Sequence, residues 1–273
     1  MRISQGRPAR IIVSFAGVTL GVALALLLLP GCGSAGDRIL EQEIERTYQI
    51  DPSTVISIRN LDGSIQVYGS SSSEVELEAI KKAYTAERLN EIKVTVAAKP
   101  GSLSIETTFP PRKKWGGFDR SGTVDYIIVV PQISKMLRLE LADGELSVEG
   151  IRSGEVHANL GNGRLFNRNC FANLHSSVKT GVLAIIYDWW EPRKFFINAQ
   201  IEDGNASALI PGEGSFHLVA ESVTGKIVND FTTQEERHAS AVGKIDIVVG
   251  DAAQANIKIH ATDGNIKVTE ANP

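Results

Sequence analysis

The chain has 273 residues, of which 42% are apolar and 6% aromatic, enough to bury a sizeable core in one or two domains. Arg2, Arg7 and Arg10 and no acid lie in the first 31 residues; the remainder holds 25 basic against 32 acidic residues and carries about −7, against −4 overall. An acidic body excludes nucleic acid as the main partner, because neutralising phosphates takes a basic face, and two cysteines, one of them spent below, exclude an intrachain disulfide framework.

Residues 1–10 are polar and positive, and residues 11–29, "IIVSFAGVTLGVALALLLL", are uncharged and largely apolar. A positive start, an apolar run and a small residue before a cut make a secretory signal. "LPGC", Leu29 to Cys32, resembles the bacterial lipobox. That resemblance implies recognition through Leu29 and Gly31, cleavage before Cys32, and a lipid on its sulfur. Gly33, where an inner-membrane retention signal has Asp, implies the outer membrane. The alternative is an uncleaved anchor, since about 19 apolar residues can span a bilayer. Either way a water-facing body is tethered to a membrane. Residues 32–50 begin small and flexible, then become charged, and read as a tether.

Residues 51–130 read as an irregular β section. "SEVELEAI" and "IKVTVAAKPGSLSIETTF" alternate as strands do, "AYTAERLNEI" (83–92) fits one short helix, and "TVDYIIVVP" (123–131) is a strand ending at proline. "FPPRKKWGGFDRSG" (109–122) is a loop by its Pro and Gly content.

From residue 131 one pattern repeats. Glycines at 144, 163, 181, 204, 225, 243 and 264 are spaced by 19, 18, 23, 21, 18 and 21 residues, and Gly63 shares their surroundings. Two positions after each glycine sit Ile65, Leu146, Leu165, Leu183, Ala206, Ile227, Ile245 and Ile266; seven before, all are apolar except Glu236. Alternation on both sides of the glycine is a half-buried strand, and a period near twenty marks a repeat architecture. The glycine is either the turn of a hairpin or the corner of a solenoid whose rungs stack in parallel. The residue before it is often Asp or Asn but also Thr180, Thr224 and Val242. A primed hairpin turn needs positive φ there, which β-branched residues resist, so the solenoid is the favoured reading. The expectation is an all-β chain: a single-stranded β-solenoid over 131–273, capped by 51–130. Its last rung near Val268 has an open edge that invites pairing, opposed by the polar, proline-ended "TEANP".

"VDYIIVVP" followed by "LRLELADGELSVEG" and further glycine repeats resembles the putative-adhesin family of bacterial β-strand-repeat envelope proteins, catalogued largely as a domain of unknown function. The resemblance covers roughly 50–270. It implies a right-handed β-solenoid on an exported protein and supplies no catalytic residues.

The outward columns of the repeat offer no paired carboxylates of the kind glycoside hydrolysis needs, and the aspartates before the glycines are explained as turn formers. His157 and His175 fall on consecutive rungs, but no third metal ligand is evident, so no metal or other cofactor is expected. Cys170 has the character of a small buried residue. "YDWWEPRKFF" (187–196) fills the 23-residue interval, and Trp189 and Trp190 there either stack on a partner or fold over the core. Trp115 and Phe118, beside Lys113 and Lys114, form a second basic-aromatic loop. The expected function is a lipid-anchored cell-envelope module for binding or structure, without catalysis, whose partners are the membrane and a glycan or envelope protein. The alternatives are a periplasmic scaffold or envelope-stress sensor component, and a polysaccharide-acting β-helix enzyme.

Overall fold

The computed structural model describes residues 3–4, 38–111, 122–231, 243–251 and 253–271. Leu29, Gly31 and Cys32, the apolar run 11–29, and Trp115 and Phe118 lie outside the described residues. Among the described residues no helix is long and apolar enough to cross a membrane. In chain order the elements are β1 (Ile3–Ser4), β2 (Leu40–Gln49), β3 (Val55–Ser70), β4 (Glu74–Ala83), α1 (Ala86–Glu91), β5 (Lys93–Lys99), β6 (Ser102–Thr108), β7 (Thr123–Pro131), β8 (Met136–Glu149), β9 (Glu155–Arg168), β10 (Asn173–Ile186), β11 (Phe195–Pro211), β12 (Phe216–Ser222), β13 (Ile227–Asn229), β14 (Lys244–Val249), β15 (Ala255–Asp263) and β16 (Ile266–Ala271). The described residues are all-β apart from α1, which falls within the expected 83–92.

β3, β8, β9, β10 and β11 each run unbroken through their glycine and pair in parallel, with Gly63, Gly144, Gly163, Gly181 and Gly204 in register. The glycine is therefore a corner between two arms of one strand, and the hairpin alternative is excluded. In β8, Leu137, Leu139 and Leu141 on the first arm and Leu146 and Val148 on the second are buried, while the residues between them face out. The two arms face each other across the core. The Asn167 amide, on the second arm of β9, donates to Ser176 Oγ on the first arm of β10 at 2.9 Å, with both residues buried. Thr107 of β6 and Tyr126 of β7 meet the same way, oxygen to oxygen at 2.6 Å, and burial pushes the tyrosine hydroxyl up to about 12.

The glycines stack so closely that nothing larger fits. A Cβ on Gly144 would lie 1.8 Å from the Gly63 carbonyl oxygen, and one on Gly163 would lie 1.9 Å from that of Gly144. Their φ angles of 135° and 129° are the left-handed geometry that side chains resist. The column continues through Gly181, Gly204, Gly264 and Gly225. Gly243 shares the local sequence but not the column: it has nothing within 4 Å of a Cβ and precedes β14, which pairs antiparallel with β12.

Two features depart from a single-stranded solenoid. First, the sheet is mixed. Antiparallel pairs β1–β2, β2–β4, β4–β7, β5–β6 and β12–β14 stand at its ends. An end rung has an open ladder of backbone groups, and a strand folding back satisfies it at once. Second, the rung order is not the chain order. β15 and β16, the last in sequence, pair with the two arms of β11 on one side and with β12 and β13 on the other. The final rung near Val268 is thus interior, correcting the open edge expected there. Symmetrically, β6 and β7 together make a broken rung against the two arms of β3. At both broken rungs a buried polar side chain mends the corner. Asn60 Nδ2 donates to Val124 O (2.7 Å), and Ser222 Oγ donates to Gly264 O (2.7 Å) while accepting from Gly225 N (2.9 Å).

Candidate functional site

Among the successive unbroken rungs β8 to β11 the longest connection joins β10 to β11, and it carries Trp189 and Trp190. Its start is fixed by Asn169, which at φ 50° is the one positive-φ residue other than glycine among the described residues. Asn169 Nδ2 donates to Asp188 Oδ2 (2.7 Å), and Asp188 N donates back to Asn169 Oδ1 (2.9 Å). Arg168 Nε adds a third bond to Asp188 at 2.8 Å. The hydrogen bond from Arg168, then that from Asn169, holds the Asp188 carboxyl below its usual range. Tyr187 is buried, its hydroxyl donating to Cys170 O. At the far end Glu191 gathers the Arg152 guanidinium, the Trp189 indole N–H (3.2 Å) and, at 3.8 Å, Arg193.

This bracing gives the two tryptophans different places. Trp190 turns inward, half-buried, its ring 5.3 Å from Tyr187, 5.7 Å from Phe195 and 5.5 Å from Phe216. Its Nε1 is buried without a hydrogen-bond partner. Trp189 turns outward, is 45% exposed, and rests at 6.1 Å on Phe171. Its N–H is held by Glu191, so the ring is oriented with its outer face open. Arg152 and Arg193 share the one Glu191 carboxylate. The arrangement is a fixed aromatic platform.

The other candidates resolve as follows. His157 and His175 stack with ring centres 4.6 Å apart and 12° between planes. Parallel rings point their nitrogens alongside one another rather than at a common point, and the described residues contain no group of three or more metal-ligating side chains. Burial, then the neighbouring His157, pushes the His175 pKa down. Cys170 is buried, and burial pushes its thiol up to about 12. The column before the glycines is a rung-to-rung ladder, with Asn162 Nδ2 donating to Asp143 Oδ1 (2.8 Å) and Thr224 Oγ1 to Asp263 Oδ1 (2.8 Å).

One grouping lies outside anything the repeat columns could reveal. Glu45 stands directly opposite Glu78 across β2–β4, and Glu43 joins them. Burial, then Glu45 and Glu78, raises the Glu43 pKa. A shallow depression beside them is lined by Glu45, Glu76 and Glu78 with Ile127 and Val129. The signal was present in "LEQEIE" and "EVELE", two alternating strands with glutamates on one face, but their antiparallel pairing was not.

No family model matches the sequence, and none of the curated proteins matches it. Three solved structures are similar in part. A "putative cell adhesion protein" from Clostridium sporogenes is 15% identical, covers 84% of this chain and 100% of its own, and has a TM-score of 0.49. A "putative adhesin" from Bacteroides fragilis is 12% identical over 83% of this chain and 97% of its own, with a TM-score of 0.30. A "putative lipid binding protein" from Parabacteroides distasonis is 10% identical over the same shares, also with a TM-score of 0.30. Likenesses at this level fix neither a family nor an activity.

Proposed function

We propose that this chain is a non-catalytic binding module of the bacterial envelope, tethered by a lipid on Cys32, and that Trp189 is the side chain it presents. On this reading the outer membrane holds the tether, and the parallel stack is a right-handed β-solenoid serving as a rigid support. The observation that carries the reading is the opposite fate of two adjacent tryptophans: Trp190 is built into the core, while Trp189 is left exposed and fixed by Glu191. Leaving so large an apolar ring in water has a cost, and an aromatic ring held in one orientation is what glycan and protein partners stack upon. The test places a benzoylphenylalanine photo-crosslinker at position 189 of the full chain in intact cells, with Val223, exposed at the corner end of the stack, as the control position. A discrete ultraviolet-dependent adduct at 189 and none at 223 is expected; adducts at both, or at neither, remove the display role.

A polysaccharide-acting enzyme remains the competing reading on one observation, the meeting of Glu43, Glu45 and Glu78. Those carboxylates stand on an open outer face, whereas cleavage needs an acid and a base on either side of an enclosed bond. Release of reducing ends from envelope polysaccharide, abolished by Glu78→Gln, would favour it over display.

A further inference from the structure

At one end of the sheet β2 has an outer edge that is almost bare. On its inner side it pairs with β4 over all 10 of its residues. On the other side, among the described residues, only Thr47 and Tyr48 are paired, and their partner is β1, antiparallel. β1 belongs to the basic stretch "MRISQGRPAR", residues 1–10, upstream of the cut before Cys32. Loss of that stretch leaves no described strand on this edge. An open ladder of backbone N–H and C=O groups is a template for another strand.

The two faces of β2 select what kind. On the outer face Glu41, Glu43 and Glu45 stand exposed at alternate positions, about 7 Å apart. Glu41 is answered by Lys82 at 4.0 Å. Glu43, Glu45 and Glu78, which stands opposite Glu45 on β4, have no ion-pair partner among the described residues. A cation on a neighbouring strand would relieve their crowding. On the inner face, burial fades outward. Ala79 and Ala83 of β4 are buried, whereas Ile44 and Leu40, opposite them on β2, are half-buried. Apolar residues on a further strand would complete that cover. Other edge strands lack the combination: the exposed row of β5 holds Lys93, Thr95 and Lys99, and that of β14 alternates Lys244 with Asp246.

We propose that the mature chain takes, along the edge of β2, an extended segment of a partner protein in which Lys or Arg alternates with apolar residues. The basic side chains stand over the glutamates, the apolar ones lie beside Leu40 and Ile44, and backbone hydrogen bonds join the two strands. The strand already seated at Thr47 and Tyr48 comes from a basic stretch, in keeping with that charge preference. A second copy of β2 is disfavoured, because antiparallel self-pairing sets glutamates opposite glutamates. The edge is open only if the chain is cut before Cys32, as proposed above, and it does not depend on Trp189.

The test uses the chain as cells export it, purified in detergent, with its intact mass read first. The probe is a fluorescein-labelled peptide as long as β2 that alternates lysine with valine. One counterpart has glutamate for lysine, and another is the lysine peptide N-methylated throughout, which cannot donate to a strand. Fluorescence anisotropy is expected to give the lysine peptide a Kd on the order of 10–100 μM and each counterpart one at least about tenfold weaker. Amide exchange over residues 40–46 slows when the lysine peptide binds. Glu43→Lys combined with Glu45→Lys weakens binding at least about tenfold; both residues are exposed, and an unfolding midpoint equal to the parent's shows that the fold is intact. A mass that retains residues 1–10 overturns the lipid tether and the open edge together. With the leader removed, the edge alone is overturned if the lysine peptide does not bind, if the N-methylated peptide binds as well, if exchange slows elsewhere than in 40–46, or if self-association already protects those amides without peptide.

Discussion

At Gly163 two constraints coincide: φ is 129°, and the site of a Cβ is 1.9 Å from the Gly144 carbonyl oxygen. Gly243 separates them, because its φ is 114° but its Cβ site is open. Gly163→Ala is expected to cost about 3 kcal/mol or more, backbone strain and clash together, and Gly243→Ala about 1–2 kcal/mol from strain alone. Urea unfolding of the two variants measures both; equal costs would show that conformation, and not stacking, fixes glycine at the corner. The corner itself could be read from the sequence, because Thr180 and Thr224 stand where a hairpin would need positive φ. That Gly243 lacks a neighbour could not, since a local pattern sets a residue's own conformation and says nothing of what is stacked upon it.

At the level of elements, alternation made the strands readable and the period made their stacking readable, but not their order. Every rung presents nearly the same inner row, so β15 fits against β11 or against β12 equally well by pattern, and the structure places it between them. The antiparallel strands β2 and β4 escaped the repeat for the opposite reason, having alternation without the corner, whereas β14 follows the glycine pattern at Gly243 and yet pairs antiparallel with β12. The insertion has a measurable result. β15 and β16 contribute Ile257, Ile259, Ile266 and Val268 to the core, together about 6–12 kcal/mol of apolar burial at 1.5–3 kcal/mol each. That is comparable with the whole stability of an ordinary domain. Truncation after Asp251 is expected to leave β12–β14 undocked, so that limited proteolysis cuts within 212–250 while 136–211 persists. Protection of 212–250 equal to that of the full chain would show that β12–β14 hold to β11 unaided.

The whole molecule has one continuous apolar cluster running from Tyr48 to Val268, so opening the middle of the stack requires separating rungs on both sides. Cys170 sits there, fully buried, with its thiol pushed up to about 12. In a Cys32→Ser chain, iodoacetamide is expected to label Cys170 at least about a thousandfold more slowly without urea than in it, because both access and thiolate require unfolding. Rapid labelling without urea would mean that the connection between β9 and β10 opens on its own. The surface was less legible than the core. The 23-residue interval marked the tryptophan loop, but the ring left exposed was decided by Asn169 and Glu191, partners that obey no period. The late rung formed by β15 and β16 also sets a clock. A chain that fills the place between β11 and β12 with a segment following both in sequence keeps an unfilled slot in its stack until that segment has been made. A copy terminated before β15 therefore never closes, and shows proteases the open seam that β15 and β16 otherwise seal.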